Sequence, residues 1–198
     1  MARFYELLRA RTLDPQIADL GSGGRRHPIR SIGLDLRPLP GVDVRADTQR
    51  LPFRSDSFDG VVITDVLMYV DNPFVAAAEV KRVLRPGGVV YAAEPFLYAQ
   101  MTTTSRFRFT IEGLRSVFGD FEVIDSGFGR SAGSATLPLI AYYVAAALSF
   151  DQPAIYRVVV YVAMLLLTPF LWLDLAIRRF RRIPARLYTN TYLLARRP

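Results

Sequence analysis

The sequence predicts an α/β protein built on a seven-stranded, mostly parallel sheet with helices on both faces, and three observations carry that prediction. Over roughly the first 135 residues, short apolar runs alternate with helical patterns, as successive βαβ units require. The first apolar run ends in a glycine-rich turn, Asp19-Leu20-Gly21-Ser22-Gly23-Gly24. The run Gly60–Thr64 (GVVIT) is continuous and β-branched, as expected of a central strand covered on both faces.

The elements follow in order. Gln16–Leu20, Ser31–Asp35 and Val42–Arg45 read as the first three strands and Gly60–Thr64 as the fourth. A helix is expected from Asn72-Pro73, with asparagine as N-cap and proline in the first helical position. Its apolar face is predicted at Val75, Ala78, Val80 and Leu84, and it stops before Pro86-Gly87-Gly88. Val89–Ala93 is the fifth strand, Ile111–Phe118 a helix and Phe121–Ser126 the sixth strand. The Tyr, Thr and Leu content near the C-terminus suits a last strand at about 187–196. All of this is read as one domain over 1–198, with 137–182 as an apolar helical insertion between the last two strands.

Hydrophobic content of 51% and a mean hydropathy of +0.20 are high, and the excess is local. Residues 137–150 (LPLIAYYVAAALSF) are almost wholly apolar. After Asp151-Gln152-Pro153, a second uncharged run, Val158–Leu173, lies between Arg157 and Asp174 and contains Pro169. Neither run reaches the roughly 20 apolar residues that span a bilayer. Two readings stand: a helical cap packed on the sheet edge, or a re-entrant or interfacial hairpin in the membrane. The second is preferred, because Arg178-Arg179-Phe180-Arg181-Arg182 directly after the second run fits a cytoplasmic membrane surface, and a hairpin that returns leaves the last two strands on one side.

The net charge of +7 is equally local. Residues 178–198 hold seven arginines and no acid, which leaves the remainder balanced at 18 basic and 18 acidic side chains. Such asymmetry points to an anionic surface, with membrane phosphate favoured over nucleic acid, since few aromatics interleave the arginines. There is no cysteine, which excludes disulfides, zinc thiolate sites and thiol catalysis, and no metal site is expected. The opening MARFYELLRARTLD has charges throughout and no apolar signal core, so the chain is expected in the cytoplasm, peripheral at the inner face of the membrane.

The chemistry lies at the ends of the first strands. A strand that runs into Gly-x-Gly lets a ligand approach backbone free of Cβ atoms, and in open α/β sheets ligands bind at that edge. A dinucleotide site would need a third glycine leading straight into a helix. Here Arg25-Arg26-His27-Pro28 follow, and only six residues separate Gly24 from the second strand. That speaks against a pyrophosphate on a helix N-terminus, hence against a nicotinamide-dependent oxidoreductase, and suits a cofactor without phosphate. Asp35 ends the second strand, where a carboxylate can accept from both hydroxyls of a ribose. Asp47 follows the third and could accept from an adenine amino group. Three acids, each at or just after the end of one of the first three strands, form an uncommon set.

DLGSGG, GLDL, ADTQRLPFRSDSFDGVV and EVKRVLRPGGVVYAAEPF together resemble class I S-adenosylmethionine (SAM) dependent methyltransferases, of the type 11-like branch, continuously over 17–96. Arg108–Leu114 extends the resemblance through an Arg-Phe-Thr-x-x-Gly-Leu segment. The resemblance implies a Rossmann-like fold, an antiparallel last strand inserted beside the sixth, SAM as cofactor, and roles for matching positions. Asp19, Gly21, Ser22 and Gly23 would surround the methionine portion. Asp35 and Leu36 would hold the ribose and flank the adenine. Asp47 and Thr48 would meet the adenine edge, and Thr64 would line the floor below the sulfonium.

Methyl transfer depends mainly on in-line positioning, so no particular nucleophile is demanded of the protein. Asp65, as N-cap or pocket acid, and Tyr69 are the acceptor-side candidates. The chain departs from the pattern at Arg25, where a third glycine is usual, at Leu67-Met68-Tyr69-Val70, where Leu-Glu-His-Val is usual, and over 98–105 (YAQMTTTS), where a His and an Asp are common. The expected activity is methyl transfer to a small-molecule, lipid-linked or glycan-linked acceptor at an anionic membrane face through 137–182. The alternative is a non-catalytic membrane-associated module with the same fold.

Overall fold

The computed structural model describes residues 1–24, 30–97, 104–129, 132–180 and 189–198. The departure at Arg25 and the connection to the second strand, with His27 in it, therefore lie outside the described residues. So do 98–103 and the arginines at 181, 182 and 186.

The elements are α1 (Ala2–Arg11), β1 (Ile17–Leu20), β2 (Ser31–Asp35), β3 (Val44–Arg45), β4 (Phe58–Thr64), α2 (Pro73–Val83), β5 (Leu84–Pro95), α3 (Ile111–Val117), β6 (Glu122–Phe128), α4 (Ala132–Leu148), α5 (Pro153–Phe180) and β7 (Asn190–Arg196). The seven strands form one sheet in the order β3-β2-β1-β4-β5-β7-β6. The pairs from β3 to β5 are all parallel. Against β5, β7 runs antiparallel: Gly87 and Gly88 bond Arg197 at one end, and Phe96 N donates to Thr189 O at the other. The seven-stranded, mostly parallel sheet and the reversed last strand are as expected.

The chain divides into two compact units. One comprises Met1–Pro95, Thr104–Gly127 and Thr191–Pro198, and the other Phe96–Thr103 and Phe128–Asn190. The first unit owes its core to β4, whose neighbouring residues face opposite ways. Val61 and Ile63 join one apolar cluster with α2 and α3 residues, while Val62 joins a second cluster with Phe4 and Leu8 of α1.

α2 starts where expected: Asn72 Oδ1 accepts from Phe74 N, and Pro73 fills the first helical position. Its buried face differs from the expected one. Pro73, Ala76, Ala77, Val80 and Val83 are buried, at the three-and-four spacing of one helix face, whereas Val75 and Ala78 are exposed. β5 begins immediately after α2 rather than at Val89. Phe58 pairs with Leu84 and Gly60 with Val89, so Arg85–Gly88 bulge out of register.

Two arginine clamps explain the sequence series LPF, SFD and RVLRPGG. Arg82 forks onto Glu79 through Nε and Nη2 at 2.7 and 2.8 Å, and also donates to Phe53 O at 2.7 Å and Leu51 O at 3.0 Å. The Glu79 carboxylate in turn accepts from Leu51 N at 2.8 Å. Those bonds from Arg82 and Leu51 outweigh partial burial and hold its pKa below the ordinary glutamate value. Arg85 donates to the buried Asp59 at 2.6 Å, and Asp59 also accepts from Gln16 N, fixing the start of β1. Arg82→Lys keeps the charge but loses the fork. It is expected to cost about 1–3 kcal/mol, read as a fall of several degrees in Tm.

The segment Arg108–Leu114 is likewise architectural. Thr110 caps α3 by accepting from Gly113 N at 3.0 Å, and Phe109 and Leu114 are buried.

In the second unit α4 and α5 pack together as a hairpin joined by the turn Ser149–Gln152. Helix α4 begins at Ala132, ahead of the expected apolar start. Helix α5 also departs from expectation. It is one continuous element of 28 residues despite Pro169, and its window Pro153–Phe170 has the length and apolarity to cross a membrane. Counting only uncharged residues had stopped the run at Arg157, a charge the longer helix accommodates. The basic C-terminal segment also proves divided. Arg196 pairs with Glu122 at 3.7 Å, and Arg197 with Asp56, so these two belong to the sheet unit.

Candidate cofactor site

The site is built where β1, β2 and β4 end. β1 leaves the sheet at Leu20, and the chain turns through Gly21 and Gly23 with φ of +68° and +59°. Only glycine adopts such angles without strain. A Cβ on Gly21 would stand 2.1 Å from Val66 Cγ2, so this turn touches the loop that follows β4. At Gly23 the position a Cβ would fill is open space, which is the opening a ligand against bare backbone requires. Gly21→Ala combines positive φ with a clash against a stiff β-branched neighbour. A loss of about 2–4 kcal/mol is expected, measured by denaturant unfolding.

Asp35 locks this turn to the end of β2. Its Oδ2 accepts from Gly23 N at 3.0 Å, and its Oδ1 accepts from Arg37 N at 2.9 Å and Arg37 Nε at 3.3 Å. Burial pushes the Asp35 carboxyl up, but the bonds from Arg37 and Gly23 together outweigh it and leave the pKa below the ordinary aspartate value. The carboxylate is thus ionised and aimed, with acceptor capacity left on a group that can take about four hydrogen bonds. The next residue, Leu36, is an exposed apolar side chain at 62% accessibility, suited to lie against a flat ring.

Asp19 and Ser22 are buried. Ser22 Oγ packs under Gly33 and lies 3.4 Å from Gly24 N, so the serine faces the body of the turn. Asp47 and Thr48 sit on a separate turn after β3. Asp47 is exposed, and its Oδ1 accepts from Gln49 N at 2.8 Å. Thr64 is half-buried at the end of β4.

The acceptor-side candidates are both exposed and lie on a turn rather than a helix. Asp65 has φ of +57° and caps no helix, since the next helix is capped by Asn72. Tyr69 N donates to Val66 O, and its carbonyl accepts from Arg106 at 3.0 Å.

One residue here was missed from the sequence. Glu94, at the end of β5, is wholly buried and accepts three consecutive backbone N–H bonds: Val66 and Leu67 onto Oε1, and Met68 onto Oε2, at 2.8–3.2 Å. It holds the loop that carries Asp65 and Tyr69 and that touches Gly21. Burial pushes its pKa up to about 8, against the pull of these donors, and the Asp65 charge adds to the rise. The signal available was a lone acid at the tip of a buried apolar strand, immediately before Pro95.

Sheet order, glycine turn and the acid at the end of β2 give this chain the fold of class I SAM-dependent methyltransferases. Residues 30–92 match the family model described as a methyltransferase domain. It is 35% identical over 89 residues to a demethylmenaquinone methyltransferase of Renibacterium salmoninarum, covering 37% of this chain and 38% of that protein. It is 40% identical over 74 residues to a phthiotriol/phenolphthiotriol dimycocerosates methyltransferase of Mycobacterium leprae, covering 31% and 27%. The chain therefore spans well under half the length of these curated relatives. Among solved structures, the [4+2]-cyclase SpnF shares the fold with a TM-score of 0.58 and 21% identity, over 99% of this chain and 80% of that one. The expected fold class, the resemblance and SAM as the family's cofactor are borne out.

Proposed function

We propose that this chain binds SAM at the ends of β1, β2 and β4 and transfers its methyl group to an apolar, lipid-linked or glycan-linked acceptor. The observation that carries the reading is the Gly23–Asp35 bond. It joins a glycine turn open to a ligand to an ionised carboxylate at the point where a parallel sheet reverses its strand order. In this reading Gly21 and Gly23 pass bare backbone along the methionine portion, with Asp19 and Ser22 beneath. Asp35 takes the ribose hydroxyls, Leu36 covers one adenine face, and Asp47 and Thr48 meet the adenine edge. Thr64 floors the reacting end, and Asp65 and Tyr69 orient the acceptor. Bound SAM supplies an activated methyl group on a sulfonium. The chain supplies position.

The apolar acceptor class draws support from the relatives named for a demethylmenaquinone and for phthiotriol dimycocerosates, and from the exposed apolar helices of the second unit. The same helices and the arginines after Asp174 support a place at the cytoplasmic face of an anionic membrane. Calorimetry with SAM and S-adenosylhomocysteine tests the site itself. Micromolar binding is expected, and no binding to correctly folded protein would overturn the reading. A second reading, a membrane-associated binding module without turnover, is favoured by the exposed acceptor side, where Leu67-Met68-Tyr69-Val70 carries no carboxylate or imidazole. It would follow from SAM binding without methyl transfer to quinone, lipid or glycan acceptors.

A further inference from the structure

The packing of the helical hairpin is inverted relative to a water-soluble helix pair. Where α4 is closed from solvent it presents Ala141 and Ala145, followed by Ser149 at the next step of the same four-residue stripe. Of its large side chains, Ile140, Tyr143 and Leu148 are exposed, and Leu137, Leu139, Tyr142 and Val144 are partly so. Along α5 the exposed face is equally apolar, with Val158, Tyr161, Val162, Leu165, Leu166 and Phe170. None of the window Pro153–Phe170 is buried, although its mean hydropathy is 1.7. Small residues inside and large apolar ones outside is the arrangement helices adopt when the solvent is lipid.

Charged groups are confined to the two ends. The turn carries Asp151 and Gln152, and Arg157, one turn into α5, reaches back to bond Pro153 O at 3.3 Å. The far end carries Asp174, Arg178 and Arg179, and the sequence continues with Arg181, Arg182 and Arg186 and no acid. Between Arg157 and Asp174 no residue is charged, a helical length of about 25 Å. In α4 all 17 residues are uncharged, again about 25 Å. Thr168 Oγ1 donates to Met164 O, so this hydroxyl is satisfied within the helix. Tyr156 and Trp172 stand near the two ends of the band, where aromatic residues anchor to headgroups. A helix lying flat in an interface would carry a charged face along its length, and this one does not.

We infer that α4 and α5 cross an anionic phospholipid bilayer as a two-helix hairpin, with the arginine-rich end at the cytoplasmic headgroups and the turn Ser149–Gln152 at the opposite surface. An apolar band of about 25 Å lies a little under a typical hydrocarbon core of about 30 Å, a mismatch met by local thinning and by Arg157 reaching outward. The basic end selects anionic lipid over a second copy of the chain, which would bring like charges together. This inference rests on the membrane-facing part of the proposed function and is independent of SAM binding, which calorimetry reads separately.

The chain has no cysteine, so single cysteines report without background. In spheroplasts of an expressing bacterium, a membrane-impermeant maleimide is expected to label Gln152→Cys and to leave Asp14→Cys untouched. In inverted membrane vesicles the two should exchange. Labelling of both only in inverted vesicles would place the hairpin on the inner surface and overturn the inference, as would recovery of the full chain in the soluble fraction. The unmodified protein gives a second readout through Trp172, its only tryptophan. In vesicles of phosphatidylcholine with one quarter phosphatidylglycerol, Trp172 fluorescence should be quenched by lipids brominated near the headgroup. No quenching would overturn the inference.

Discussion

Asp35→Ala is expected to weaken SAM and S-adenosylhomocysteine binding by ten- to a hundredfold, about 1.4–2.8 kcal/mol, measured by calorimetry against the wild type. The loss has two origins. Ribose hydroxyls would lose an ionised acceptor, and a hydrogen bond to a charged group contributes about 1.5–3 kcal/mol. The glycine turn would also lose its tether, because Gly23 N has Asp35 Oδ2 as its partner at 3.0 Å. Asp35→Asn separates these origins in part, since it keeps an oxygen for Gly23 but loses the charge.

The pH dependence follows from the direction of the shift. Asp35 has a depressed pKa in the folded chain, so its contribution to stability is complete above the unfolded aspartate value of about 3.9 and is lost as pH falls through the lower folded value. Binding and stability should therefore fail together only in strong acid. A loss of binding near neutral pH would implicate another group.

Glu94→Ala has the largest effect expected on stability. Three backbone donors, on Val66, Leu67 and Met68, would lose their acceptor inside a buried site. At about 1–3 kcal/mol for each orphaned group, the cost is at least about 3 kcal/mol, or a Tm lower by roughly 10 °C. Glu94→Gln should cost about half as much: its carbonyl oxygen can keep two donors while its amide nitrogen faces the third.

The pH response is opposite to that of Asp35. The folded pKa of Glu94 is raised, to about 8 from 4.5, so the folded chain holds a proton that the unfolded chain has released. Its contribution is complete below about pH 4.5 and declines as pH rises to about 8. Thermal melts of the wild type from pH 5 to 9 should therefore slope downward more steeply than those of Glu94→Gln. Equal slopes would show that Glu94 does not titrate in that window.

Most of the sheet was legible because its signals are local. The glycine turn, GVVIT and the Asn72-Pro73 helix start each declare themselves within a few residues, and all three stand in the structure. The face of α2 was misread at Val75 and Ala78. Several phases of an alanine-rich helix look apolar, and only the packing against β5 and α3 selects one. The early start of β5 was hidden because Pro86-Gly87-Gly88 reads as a stop, whereas in the sheet it forms a bulge that lets Arg85 reach Asp59. Asp35 was legible as a strand-end acid, but its partners Gly23 and Arg37 are a product of folding. Glu94 went unread for the same reason: its donors lie 26 to 28 residues away along the chain. The family motifs around 51–53, 57–59 and 82–88 catch the eye as a site, yet their arginines hold loops and strand ends in place. They identify the fold more directly than the chemistry.

The position of β7 between β5 and β6 fixes an order of events during synthesis. Among the described residues β6 has only β7 as its neighbour, so it cannot join the sheet until residues 190–196 have left the ribosome. By then the whole of 132–180 has already emerged. During that interval β5 presents an unpaired edge, the kind of surface that draws in foreign strands. A nascent chain whose hairpin is taken up by a membrane as it appears would spend this vulnerable period tethered and dilute, and the last seven-residue strand would then close the sheet from the aqueous side.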